Sequence, residues 1–151
     1  MRWLVKMKNK IKDLTVSEKV EEISKKILDN KKLILDNFDK ESIYVYEFLQ
    51  KQFNKNGTDI TNDYVFQFVF RSYYRLDNAG LTSNFKTKYF ELMEKNEVNL
   101  KEILSELYEF ETLRNKKTIQ FSFATKLLHT IDASNPIFDS KMLSEALILE
   151  K

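Results

Sequence analysis

The sequence has no cysteine, one histidine, two glycines and one proline in 151 residues. Without thiols there is no disulfide and no thiolate nucleophile, and a single imidazole leaves a zinc site without its usual ligands. No metal or cofactor is expected. So few glycines and prolines leave little material for the turns of a many-stranded sheet, which favours helices joined by short polar loops. Long apolar runs are missing too. Nothing reaches the roughly 18 residues of a membrane span, and "WLVKM" is shorter than the apolar part of a signal peptide. The chain is therefore expected to be cytoplasmic and to have no membrane partner.

The content that remains is that of a folded domain. Hydrophobic residues make up 42% and charged residues 32%, and this length can bury roughly two thirds of the surface of the unfolded chain. One domain, residues 1–151, is expected. The net charge of +2 is too small to diagnose a nucleic-acid partner. Its distribution is uneven, because "MRWLVKMKNKIK" carries five basic residues and no acidic one. That segment reads as a basic arm or as a terminal helix docked through Trp3.

Caps and apolar spacing lay out the rest as an all-α array of six or seven helices. "TVSE", Thr15 to Glu18, has the form of a capping box, and Val16, Val20, Ile23 and Ile27 follow at helical spacing. Asn37 to Asp39 reads as a break. A second long helix carries Ile43, Val45, Tyr46, Phe48, Leu49 and Phe53 and ends at "NKNG", where Gly57 is expected to take the left-handed conformation. The segment "DITND" caps an aromatic helix, "YVFQFVFRSYYRL", whose density of rings predicts a central, surrounded element. "DNAGLTS" is the clearest turn. A helix after Thr82 or Ser83 turns Phe85, Tyr89, Phe90 and Met93 inward, and "NLKE" opens another that runs to about Leu113.

After "RNKK", Ile119, Phe123, Leu127 and Ile131 line one face of a sixth helix, with Ser122, Thr125, Lys126, His129 and Thr130 on the opposite, polar face. Asp132 to Phe138 is a loop set by Pro136. Asp139 then stands where the N-cap of a last helix belongs, with Met142, Leu143, Ala146 and Leu147 as its apolar side. The chain stops soon after that helix begins, as a short family member or a truncated product would.

Two segments carry possible chemistry. In the aromatic helix, Arg71 and Arg75 emerge beside rings and suit a phosphate backbone or a stacked base. They equally suit ion pairs with acidic neighbours such as those of "ELYEFE". In "FSFATKLLHTIDASNPIFDSK", Lys126 and Asp139 are either two reacting groups or a solvated lysine followed by a helix cap.

"FATK" followed by "PIFDSK" resembles a segment of bacterial proteins related to 8-oxoguanine DNA glycosylase, in the helix-hairpin-helix glycosylase superfamily. "FRSYYRLDNAGLT" resembles a segment of small bacterial proteins that share this ending. The resemblance implies a glycosylase-like helical array in which a lysine opens a helix and a proline-containing loop leads to an aspartate. It implies Lys126 as the nucleophile that attacks the sugar of an extruded nucleotide, and Asp139 as the carboxylate that stabilises the developing positive charge. His129, one turn on, would lend a proton or a hydrogen bond. Arg71, Arg75, Lys116, Lys117 and Lys141 are then the candidate DNA contacts. The superfamily's hairpin glycines are absent from "KKTIQFSFATK". That absence and the small size support a second expectation, a noncatalytic module that binds a protein partner, for example in phage defence or on a mobile element.

Overall fold

The computed structural model describes residues 16–139. The described residues fall into two compact units, one of residues 39–138 and one that includes residues 16–38 and Asp139. The expected basic arm, Thr15 and the last helix with Lys141 lie outside the described residues. The fold is all-α: seven α-helices and two 3-10 turns account for the regular structure of the described residues, with a single isolated β-bridge.

In the smaller unit, α1 spans Val16–Asp29 and α2 spans Lys31–Asp36. The apolar repeat does not run on unbroken to Asn37. Asn30 interrupts it, with its side-chain amide donating to the Lys26 carbonyl at 2.8 Å, a local bond that competes with continued helix. No residue of α2 is buried.

The larger unit begins with the predicted break. Asp39 caps α3 (Lys40–Asn56), accepting from the backbone N–H groups of Glu41 and Ser42. Asp63 caps α4 (Tyr64–Tyr73), Thr82 caps α5 (Ser83–Glu94) and Asn99 caps α6 (Leu100–Tyr108). In each case a side-chain oxygen takes up a backbone donor that the first helical turn leaves free. The last described helix, α7, spans Phe121–Ile131.

Helices α3 and α4 form an antiparallel pair. Gln52 donates to the Asp63 cap at 2.7 Å, and the rings of Phe53 and Phe66 lie 6.5 Å apart. The connection between them is held by polar side chains. Gln67 Nε2 donates to the carbonyls of Ile60 and Thr61, and Glu94 accepts from both the N–H and the hydroxyl of Thr61 at 2.8 Å. With those groups satisfied, Ile60 is driven fully into the core.

Rings dominate that core. Phe70 lies within 4.7–5.8 Å, centroid to centroid, of Phe66, Tyr74, Tyr89 and Phe90, in tilted and edge-on arrangements. Phe85, Tyr89, Phe90 and Met93 are buried as their spacing predicts.

Four local expectations are corrected. Gly57 is right-handed (φ −61°) and continues into a 3-10 turn; a Cβ there would stand 3.3 Å from the Phe53 ring, so glycine serves a close approach. Helix α6 stops at Tyr108, short of Leu113, because Leu113 N–H donates to the Gly80 carbonyl at 2.8 Å and Thr112 bridges Leu81. Ile119 lies outside α7 and is exposed, whereas Thr125 and Thr130 on its polar side are buried. Helix α4 is not surrounded: Phe66 and Phe70 face the core, but Tyr64, Val65 and Phe68 are exposed.

The "DNAGLTS" turn behaves as expected, with Gly80 left-handed at φ 67°. Arg75 also takes a left-handed conformation (φ 60°), which ends α4 and turns the chain back so that Asp77 returns beside Arg71.

Candidate functional site

Lys126 sits in the middle of α7, at its sixth residue rather than at its start. The helix around it is fastened by its own hydroxyls. Thr130 donates to the Lys126 carbonyl at 2.8 Å, and Thr125 donates to the Ser122 carbonyl at 2.9 Å. Thr125 Oγ1 also accepts from Phe138 N–H at 3.1 Å, which ties the end of the Pro136 loop back to the helix. Phe121 and Phe138 add a ring contact at 5.7 Å.

The Lys126 amine lies 4.7 Å from the centre of the Phe123 ring and 5.9 Å from that of Tyr74. Ring faces carry negative charge density and attract a cation at such distances. Lys126 belongs to the larger unit, and Asp139, half-buried, to the smaller one.

His129 has a structural task. Its Nδ1 lies 2.6 Å from the Asn135 carbonyl oxygen and its Nε2 lies 2.8 Å from the Tyr46 hydroxyl. A carbonyl only accepts, so Nδ1 carries a hydrogen and donates to it. Nε2 of the neutral ring is then left to accept from the hydroxyl. Both nitrogens are occupied in joining α3, α7 and the loop.

The basic candidates divide. Arg71 Nε lies 3.2 Å from Asp77, whose other oxygen accepts from Lys86 at 2.6 Å. The acid that answers Arg71 is thus in the turn and not in "ELYEFE". Lys86 hydrogen bonding, then the Arg71 contact, hold the Asp77 carboxyl below its ordinary range. Lys117 pairs with Glu109 at 2.9 Å, and that bond raises its amine above the usual value. Arg75 and Lys116 are exposed, on a turn and a loop that meet at Gly80–Leu113.

The sign of the Asp77 effect follows from its lowered folded pKa. The stabilisation is present above the unfolded value near 3.9 and is lost as pH falls through the lower folded value. Asp77→Asn is expected to remove about 0.5–1 kcal/mol at pH 7, as partly exposed ion pairs do. Urea midpoints from pH 7 to 2 check this: the difference between the two proteins should shrink toward the acid end.

A further surface was not legible as a site. Along α3, Glu41, Tyr44, Phe48, Lys51 and Lys55 are all exposed. Glu41, Tyr44, Val45 and Phe48 line a shallow groove with Val69 of α4. On α4, Val65 is 66% and Phe68 62% exposed, and on α3 Tyr44 is 70% and Phe48 40% exposed. The available signal was that α3 and α4 each hold more apolar positions than one buried face requires.

Among the described residues no helix is long and apolar enough to cross a membrane, and no group of three acidic or histidine side chains is placed to hold a metal. No protein-family model matches the chain, and no curated protein or solved structure gives a significant match.

Proposed function

We propose that this protein is a noncatalytic interaction module whose α3–α4 face binds a protein surface. The observation that carries this reading is the groove lined by Tyr44, Val45, Phe48 and Val69, with Val65 and Phe68 of the same α4 helix also exposed. Scattered single apolar residues are ordinary on a surface, but a contiguous patch of several hundred Å² marks an interface. Aromatic residues are also those enriched at the centres of interfaces.

Site-specific photo-crosslinking in cells tests it. A photoreactive residue in place of Tyr44 should give a discrete protein adduct, and one in place of exposed Lys101 on α6 should not. Equal labelling from both positions, or none from Tyr44, would overturn the reading.

The resemblance of "FATK" and "PIFDSK" supports a second reading, a DNA-associated, glycosylase-like protein with Lys126 as the nucleophile. What supports it in the structure is that Lys126 is half-buried on α7, with its amine beside the Phe123 ring. Borohydride reduction in the presence of abasic or 8-oxoguanine DNA should then trap a covalent adduct that Lys126→Gln abolishes. Absence of an adduct with the unaltered chain would remove this reading.

A further inference from the structure

Resting on the interface reading, we infer that the occupant of the α3–α4 face is a second copy of the same chain, with α3 packed antiparallel against its equivalent about a two-fold axis near Phe48.

The exposed stripe of α3 has coiled-coil spacing. Glu41, Tyr44, Phe48, Lys51 and Lys55 recur at intervals of three and four, so they line one seam of the helix. The seam is apolar in the middle, acidic at its N-terminal end and basic at its C-terminal end. A parallel partner would set Glu41 against Glu41 and Lys55 against Lys55. An antiparallel copy centred on Phe48 sets Glu41 against Lys55 of the other copy, twice, because each lies seven residues from the centre. The charge pattern is therefore complementary to itself under one symmetry only, the isologous two-fold of common homodimers.

The area is that of a small interface. Aromatic side chains present roughly 150–250 Å² each, so the exposed fractions of Tyr44, Phe48, Phe68 and Val65 amount to about 450 Å² per copy and roughly 900 Å² for the pair. The stems of Glu41, Lys51 and Lys55 bring the total toward the ~1,200 Å² at which stable interfaces begin. Phe48 meeting Phe48 at the axis would be the buried anchor, and Val65 and Phe68 would close the sides.

Sedimentation equilibrium of the purified full chain over a concentration series tests the inference. The unaltered chain should show a monomer–dimer equilibrium. Glu41→Lys and Lys55→Glu should each weaken it about tenfold or more, and the two together should restore it to within about threefold. Phe48→Glu should leave only monomer with an unchanged circular dichroism spectrum. A chain that is monomeric throughout, a dimer indifferent to the single charge changes, or a double variant no better than the singles would overturn it. A monomeric chain that still cross-links through position 44 to a different protein overturns self-pairing and leaves the interface reading standing. A monomer without any such adduct overturns both.

Discussion

Phe70→Ala is expected to lower the unfolding free energy by about 3–5 kcal/mol, whereas Phe68→Ala, two residues earlier in the same helix, should change it by less than about 0.5 kcal/mol. The contrast follows from burial: Phe70 is 0% exposed and contacts four other rings, while Phe68 is 62% exposed. Truncating Phe70 removes the transfer term of a large side chain and leaves a cavity that rigid rings cannot collapse to fill. Domains of this size are stable by only about 5–15 kcal/mol, so the loss should lower the melting temperature by on the order of 15 °C. Thermal and urea unfolding of the two variants at low protein concentration would check this. Equal effects would mean that α4 is buried on all sides.

Raising the pH should unfold the protein steeply. Burial pushes the Tyr74 and Tyr89 phenols above their ordinary value of 10.0, and neighbouring tyrosines add to the shift in both. Both are therefore neutral in the fold at a pH where the unfolded chain has lost their protons. A group with a raised folded pKa gives its full stabilisation below the unfolded value and loses it as pH rises toward and through the folded one. Each such phenol costs about 1.4 kcal/mol of stability per pH unit in that window. Two together roughly double that slope, so stability should fall steeply above pH 10. Tyr89 adds cooperativity, because its hydroxyl donates to the Phe123 carbonyl at 2.7 Å and joins α5 to α7.

Phenolate absorbance and circular dichroism followed in one titration should show part of the seven tyrosines ionising together with loss of helix. Tyr74→Phe should lower the slope of stability against pH above 10. Seven tyrosines titrating near 10 with the helices intact would contradict this account.

Helix starts were the most legible part of the fold. Asp63, Thr82 and Asn99 are residues whose short oxygens reach their own helix's free N–H groups, and that chemistry is local; Asp39, which does the same for α3, read only as part of a break. Helix ends and buried faces depend on distant chain. Leu113 leaves the helix for a bond to Gly80, and Gly57 is small because of Phe53. Ile60, Leu76 and Leu81 are buried although they lie in turns, since Gln67 and Glu94 satisfy the backbone around Ile60 from other helices.

Less of the candidate site could be read ahead. Apolar periodicity separated Lys126 from the core stripe of α7, but it did not reveal that Thr125 and Thr130 on the same side are buried by their bonds to the helix and the Pro136 loop. The aromatic run of α4 read as a core helix because composition counts rings without showing which way they face. Phe66 and Phe70 turn inward, and Val65 and Phe68 turn out. That difference moves the functional emphasis from a lysine to a surface.

The most direct test of that shift is hydroxyl-radical footprinting of the chain in intact cells against the purified chain at high dilution. The interface account predicts that Tyr44, Phe48 and Phe68 are oxidised readily in the dilute protein and protected several-fold in cells, while exposed Leu113 and Tyr108 react alike in both. Equal oxidation of the α3–α4 face in the two settings would show that nothing covers it and would contradict the account.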